Sequence, residues 1–459
     1  MTATPSPVLF PNPAVPAAGF AIAGYDSDST LALRETLQAN HNDTHGYFNR
    51  QLKFQNHIPH HLLAIWSFGA NREALEATYK HELKEQTLIF DSPSNISAEN
   101  YHEHLGDDNY YKAYLAFFRD EVQVKGTRAV LHEYVFSPKA NTPNASPSKA
   151  ISRFLDNLIH PMIHIGYGLE YSLPGLVVEG LTLAATLDGK RVDALYPSSL
   201  FSDEAAVGPG EHAFDILQHI IDDPSYDNTN KDFNPESFLE DTINSHGDAL
   251  GKLAAEWLGA SPNIDAKIEE VLWACSLLYA VNGTSKASPD AAIYADFFLM
   301  HLVTSSLFIP SFIPHLSIEA QRVLLQSYFT TVLVVWVSRG RRALDIVAFY
   351  SKTTVNPKQP CLTATRPKWA LSSSTNPWFG IMQNSIYHPD DHLCKIQRAF
   401  AYNAHRFGAT PEGIFKSKLR EVEKLDGTIF IRAAGLTATR TSQLSDAGSK
   451  FVWDFAWVA

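Results

Sequence analysis

The fold is decided by the stretch Asn56-His57-Ile58-Pro59-His60-His61-Leu62-Leu63-Ala64-Ile65-Trp66. Its apolar side chains recur every three to four residues, with Ile58, Leu62 and Ile65 on one side, and this period predicts an amphipathic helix within residues 54–68. A proline near the start of a helix is tolerated, because its missing N–H would have no partner there. The stretch therefore combines a helical core pattern with three histidines.

The same helical period recurs along most of the chain. Further helical segments are predicted at 31–39, 73–85, 109–123, 151–158, 162–171, 176–186, 213–221, 236–258, 264–281, 290–306, 318–339 and 390–407. Alternating strand patterns are scarce, and the best one, 428–432, predicts at most a minor β-hairpin. Polar breaks that predict long loops fall at 137–148, 188–210 and 353–377. We predict an all-α fold, with an extended N-terminal segment over 1–28 and a single large helical domain over 29–459.

The composition narrows the class of protein. The 459 residues are 45% hydrophobic with a formal net charge of −12, which favours a folded chain that binds neither nucleic acid nor an anionic membrane. The apolar stretch 323–337 is too short and too polar for a membrane span, so a buried helix is predicted there. The three cysteines, Cys275, Cys361 and Cys394, are widely spaced, and the first basic residue is Arg34. A reducing, cytoplasmic location is expected, since neither a disulfide framework nor a charged leader is evident.

Histidine is the most informative residue type, with 19 copies in the chain. Three pairs one helical turn apart accompany a proline: His57 and His61, His160 and His164, and His388 and His392. Another, His301, stands in a strongly apolar segment. Because imidazole is a common ligand of iron, zinc and copper, these positions predict a metal site in a helical protein. Spacing alone leaves open which members bind, since His60 competes with its two neighbours and His164 competes with His160.

Other chemistries find less support. The sequence contains no GxGxxG after a strand, no HExxH and no GxSxG, which argues against dinucleotide-binding folds, zincins and α/β-hydrolases. A 2-His-1-carboxylate iron site is conceivable at His246 and Asp248, but the glycine between them predicts a turn. Isolated histidines are more often structural than ligands, and the pair His41 and His45 is read in this way, as part of an ordinary loop.

Four ordered motifs resemble the questin oxidase-like family. They are Asn56-His57 with His61-Leu62-Leu63-Ala64 and Gly69-Ala70; His160-Pro161-Met162-Ile163-His164-Ile165-Gly166-Tyr167-Gly168-Leu169-Glu170; Asp296 with His301-Leu302-Val303-Thr304-Ser305-Ser306; and 378–398 with Asp391-His392-Leu393-Cys394-Lys395. The resemblance extends from about residue 46 to 408. Residues 188–258 and the C-terminal tail carry none of these motifs.

The resemblance implies an activity and a set of ligands. The family is associated with oxidative opening of the central ring of anthraquinones, or of their reduced hydroquinone forms, in fungal polyketide pathways. Its members resemble non-heme iron dioxygenases that use O₂ as co-substrate. Carried over motif by motif, the implied Fe(II) ligands are His57, His160, His301, His392 and Lys395, the last carrying a carbamate derived from CO₂. A lysine amine is protonated near its normal pKa of about 10.4, so it binds metal only after losing that charge.

The candidate bases for removing a phenol proton are His164, Tyr167, Glu170 and Asp391. A small aromatic polyketide is the expected partner. One alternative is an NADPH-assisted Baeyer–Villiger monooxygenase served by a separate reductase, because the chain has no NADPH-binding motif. A second alternative is a non-catalytic helical binding protein with structural histidines. The absence of a dinucleotide motif also predicts that the chain binds no flavin.

Overall fold

The computed structural model describes residues 8–14, 22–142, 148–201, 208–227, 238–286, 293–357, 376–449 and 451–455. Within them, seventeen α-helices accompany one two-stranded antiparallel sheet. The all-α prediction is therefore confirmed, and the minor hairpin exists, but at a different place from the predicted one. Cys361 lies outside the described residues, whereas Cys275 and Cys394 are buried thiols.

The helices account for nearly every predicted segment. Their bounds are α1 Ser27–Asp43, α2 Ile58–Ser67, α3 Arg72–Glu82, α4 Tyr111–Lys125, α5 Thr127–Leu131, α6 Ala150–Glu170, α7 Pro174–Thr186, α8 Ala213–Asp222, α9 Phe238–Leu258, α10 Ile264–Lys286, α11 Phe297–Ser306, α12 Ile309–Phe312, α13 Ile318–Ser338, α14 Ile346–Lys352, α15 Pro377–Tyr387, α16 Asp391–Phe407 and α17 Ile429–Asp446. The strands are β1 Tyr47–Asn49 and β2 Phe54–Gln55. The predicted helix over 54–68 thus begins with a short strand, and its helical part starts at Ile58.

The chain clusters into two compact units. The first contains Met1–Gly210, Glu240–Ile264 and Phe308–Val334, and the second contains Glu211–Leu239, Asp265–Leu307 and Val335–Ala459. The expectation of one domain over 29–459 stays a prediction.

The first unit is built around α6 and α7, which pack closely together, with α4 against α7 and α2 against α6. The helices predicted over 151–158 and 162–171 correspond to two halves of α6, which departs from helical geometry over Asp156–Ile159. Asn157, Leu158 and Ile159 there have φ values of 50°, 54° and 66°, a left-handed conformation that costs a non-glycine residue about 1–2 kcal/mol. The α6 segment that follows the turn therefore starts anew just before His160.

In the second unit, α16 packs against α11, α15 and α17. The strand predicted over 428–432 is wrong, because α17 begins at Ile429 and buries Phe430 and Ala433 in the core. The β-branched residues of this segment matched an alternating pattern, but tertiary packing overrides such weak local preferences.

Among the described residues, one stretch, Phe297–His315, is long and apolar enough for a membrane span, and 67% of its most apolar window is buried within the protein. A buried core helix passes the same test, so this is weak evidence for a span. The segment 323–337, predicted to be a buried helix, lies within α13, whose apolar side chains there are buried. The cytoplasmic location stays a prediction.

Candidate metal-binding histidines

Two of the implied ligands meet in the first unit. His57 immediately precedes α2, where Pro59 occupies the first turn as the sequence predicted. His160 follows the left-handed turn of α6. Their Nε2 atoms lie 2.8 Å apart and their rings stack with centroids 4.8 Å apart. The structure thus brings the first histidine of the 57–61 motif into contact with the first histidine of the 160–164 motif.

The environment of His160 fixes which of its nitrogens is available. Its Nδ1 lies 2.6 Å from the carbonyl oxygen of Asn157. A carbonyl only accepts hydrogen bonds, so Nδ1 carries the proton and Nε2 presents a lone pair. Two nitrogens that bind one metal at right angles, each at about 2.0–2.1 Å, are separated by about 2.9 Å. The observed separation of 2.8 Å and the tautomer both fit a pair of ligands on one ion.

The other two histidines of α2 have different partners. His60 Nε2 lies 3.0 Å from Nδ1 of His164, whereas Nδ1 of His61 contacts the carboxylate of Glu82. The three histidines at 57, 60 and 61, which spacing did not distinguish, therefore face three different groups.

A buried carboxylate that the sequence analysis missed lies behind His164. Glu179 Oε2 lies 2.7 Å from Nε2 of His164, and its Oε1 lies 2.6 Å from Nδ1 of His41. Burial raises the pKa of Glu179, but hydrogen bonds from the two imidazoles outweigh burial and lower the pKa to about 2. Its signal in the sequence was a lone charge in the apolar segment Pro174–Thr186.

The reading of His41 as part of an ordinary loop is wrong. It lies in the last turn of α1 and is 8% exposed. Its neighbour in that reading, His45, is also buried, and burial lowers the pKa of His45 to about 4 although the Asp108 carbonyl acts in the opposite direction. Polar neighbours in the sequence suggested exposure, but α1 continues to Asp43 and turns His41 inward.

The second unit brings together His301 of α11 and His392 of α16. Their ring centroids are 5.3 Å apart, and Phe297 packs edge-on against both rings. Nδ1 of His301 lies 2.8 Å from the carbonyl oxygen of Phe297, so its Nε2 also presents a lone pair. His160 and His301 therefore share an arrangement in which a backbone carbonyl fixes the tautomer and leaves Nε2 with the lone pair.

Lys395 lies one turn beyond His392 and is 4% exposed. Its Nζ is 2.7 Å from Asp391 Oδ2, and the other oxygen of Asp391 is 3.1 Å from Nδ1 of His392. Burial lowers the pKa of His392, but the carboxylates of Asp391 and Asp390 together outweigh burial and raise the pKa overall. Asp390 caps the helix by accepting hydrogen bonds from the backbone N–H groups of His392 and Leu393.

The remaining candidates are more dispersed. Tyr167 stacks on His60 with ring centroids 5.1 Å apart, and Glu170 is buried at the end of α6. His246 and Asp248 both lie within α9 rather than in the predicted turn, and Asp248 is exposed. His388 ends α15, and its Nδ1 accepts a hydrogen bond from the backbone N–H of Asp390.

The fold and these contacts define an all-helical protein in which buried and half-buried histidines are arranged in pairs. The sequence profile of the family described as questin oxidase-like matches residues 54–400. The chain belongs to this family, and the matched range lies within the 46–408 that the motifs indicated.

Several curated relatives are similar over most of their length. The Baeyer-Villiger oxidase ptaJ of Pestalotiopsis fici is 25% identical, with 93% of this chain and 91% of the relative covered. A questin oxidase of Aspergillus terreus is also 25% identical, with coverages of 92% and 90%. The oxidoreductase AflY of Aspergillus parasiticus is 27% identical, with coverages of 80% and 71%.

Proposed function

We propose that this chain is an oxidoreductase that opens the central ring of an anthraquinone, or of its reduced hydroquinone form, with O₂. The names questin oxidase and Baeyer-Villiger oxidase among its relatives support oxidative chemistry on this class of compound. The observation that carries the proposal is the pair formed by the half-buried His57 and the buried His160, whose Nε2 atoms are 2.8 Å apart. Such a pair suits a metal-dependent oxygenase better than a scaffold with structural histidines.

We further propose ferrous iron as the metal, with the ligand set that the family resemblance implies: His57, His160, His301, His392 and carboxylated Lys395. When bound, iron supplies the one-electron chemistry that lets O₂ react with an organic substrate. The Nδ1 protons of His160 and His301 are each held by a backbone carbonyl. The Nε2 lone pair of each ring is therefore the one that can bind the metal.

Lys395 is proposed to provide the anionic ligand. Its ammonium first loses one proton to give the amine, which then adds to CO₂ with formation of one N–C bond and release of a second proton, so that a cation becomes an anionic carbamate. The carboxylate of Asp391, 2.7 Å from Nζ, is an acceptor for a proton leaving that nitrogen. Arginine keeps a cation at this position but forms no carbamate, so Lys395→Arg is expected to lower iron affinity sharply.

Of the four candidate bases, we propose Glu170 for accepting the phenol proton of the substrate. Both nitrogens of His164 are hydrogen-bonded, to Glu179 and His60, and Asp391 is already proposed to accept a proton from Lys395. The phenol of Tyr167 is a weak acceptor near neutral pH. Glu170→Gln is expected to lower kcat with iron content retained.

The deciding experiment measures iron content and O₂ consumption in the purified chain. Alanine substitution of any of the four histidine ligands should remove iron and abolish O₂ uptake, whereas the exposed His132 provides a matched control whose alanine variant should retain both. Full activity after the iron is removed by chelation would refute the proposal.

A second candidate function is favoured by the Baeyer-Villiger names of several relatives. In an NADPH-assisted monooxygenase, a separate reductase would supply the two electrons that accompany insertion of one oxygen atom. Turnover of pre-reduced substrate in the absence of NADPH separates the two, because only the dioxygenase needs no further reductant.

A further inference from the structure

We propose that Glu179 is the positioning residue of the pair His57 and His160. By accepting the Nε2 proton of His164, it orients His164 and His60, and the ring of His60 in turn holds His57 against His160. This inference concerns the first unit alone, and it rests on the proposed function in taking the pair as iron ligands.

The first step is the direction of the hydrogen bonds. An ionised carboxylate only accepts, so the nitrogens that face Glu179, Nδ1 of His41 and Nε2 of His164, both carry protons. His164 Nδ1 is then the acceptor of the hydrogen bond donated by Nε2 of His60. One anion therefore sets the tautomers of His164 and His60 in series.

Ring packing connects His60 to the pair His57 and His160. The His60 ring stacks with two others: its centroid is 5.1 Å from that of Tyr167, with 16° between the planes, and 5.7 Å from that of His57, with 29° between the planes. The ring of His57 in turn stacks on His160 with only 14° between the planes. A rotation of His60 about its χ angles would remove the surface on which His57 rests.

The third step is that the backbone at His57 is held separately. The side chain of Asn56 donates to Asn40 Oδ1 and to Thr44 Oγ1, both on or next to α1, and accepts from the backbone N–H of Ile58. The start of α2 is thus anchored without Glu179. Loss of the carboxylate is expected to affect ring orientation more than the path of the chain.

The test has one arm that needs no metal. In the metal-free full chain labelled with ¹⁵N-histidine, two-bond ¹H–¹⁵N correlations report the tautomer of each ring. The wild-type chain should show His164 and His60 protonated at Nε2. In Glu179→Gln these signals should shift or broaden, because an amide presents a donor as well as an acceptor. Glu179→Asp keeps the anion and should retain both tautomers. If the glutamine variant fails to fold, the aspartate variant still tests whether the anion sets the tautomers.

The second arm measures the affinity for Fe(II) without O₂, by competition with a chelator. Glu179→Gln should bind iron about 10–100-fold more weakly, the usual effect of losing an outer-shell partner, and Glu179→Asp should fall between this variant and wild type. Glu82→Gln is the matched control: it removes another carboxylate that contacts an α2 histidine, His61, and its affinity should stay within about twofold of wild type.

Two outcomes would overturn the inference: unchanged tautomers and affinity in Glu179→Gln, or an equal loss of affinity in Glu82→Gln. If the wild-type chain binds no Fe(II), the proposed function fails. The tautomer measurement still decides whether Glu179 orients the two rings.

Discussion

The close contact of α7 with α6 at Gly180 makes this position a sensitive test of the packing behind the histidines. A β-carbon added at Gly180 would lie 2.8 Å from the backbone nitrogen of Ile165 and 3.1 Å from the carbonyl oxygen of Pro161. Backbone atoms cannot rotate away, so one helix would have to move. Overpacking of this kind costs about 1–3 kcal/mol, whereas alanine in place of glycine gains about 0.5–1 kcal/mol of helix stability. Gly180→Ala is therefore expected to lower the free energy of unfolding by about 1–2 kcal/mol.

At a second helical glycine, replacement by alanine is expected to change the stability in the opposite direction. At Gly251 in α9, the nearest atom to an added β-carbon is the carbonyl oxygen of Leu195, 4.0 Å away, which is ordinary van der Waals contact. Gly251→Ala should therefore stabilise the chain by about 0.5–1 kcal/mol. Both variants are compared with wild type by urea unfolding, followed by far-UV circular dichroism at pH 7. A free energy of unfolding for Gly180→Ala equal to or above that of the wild type would contradict the expected clash.

Three further predictions concern charge and cofactor content. The pKa of Glu179 falls from its ordinary value of 4.5 to about 2 on folding, so its ionisation contributes roughly 3 kcal/mol that is present above pH 4.5 and is lost as the pH falls towards 2. Urea unfolding between pH 3 and 7 should show a shallower pH dependence for Glu179→Gln, and identical slopes would contradict this. Asp296→Asn keeps the cap of α11 but removes the carboxylate that pairs with Arg339, and these two side chains are only 0% and 1% exposed. The free energy of unfolding should fall by about 3–5 kcal/mol. A decrease below about 1 kcal/mol would count against this prediction. The purified chain should show no visible flavin absorption band, and a stoichiometric bound flavin would disprove that expectation.

Helical periodicity predicted the fold well because the core-facing side chains of most helices repeat with a regular spacing. The proline motif at Pro59 correctly marked the start of α2, and Pro161 correctly marked a break in α6. The left-handed turn itself was not predictable, because Leu158 and Ile159 belong to residue types that seldom adopt positive φ. The turn has both local and tertiary contacts: the backbone N–H of Asn157 donates to Asp156 Oδ1, and its side chain donates to the carbonyl oxygen of Lys53.

The site was predicted in parts. Spacing identified the histidine motifs, but it did not distinguish His57 from its neighbours, because the choice depends on contacts with α6 and α3. Glu179 was missed for a related reason: its partners are 15 and 138 residues away in the sequence, and a single carboxylate in an apolar helix has no motif. The polar residues around His41 in the sequence suggested a loop, whereas the structure places it in the last turn of α1 with its side chain buried.

The left-handed turn in α6 has a consequence for the rotational phase of the helix. In an unbroken helix each residue advances by about 100°, so the direction of His160 and His164 would be fixed by the packing of Phe154 and Leu155. The turn over Asn157–Ile159 interrupts this regular rotation. The rotation of each half of α6 about its own axis is therefore independent of that of the other half. Repacking around the first half therefore does not by itself rotate the histidines of the second, which separates the part of the helix that serves the core from the part that presents the imidazoles.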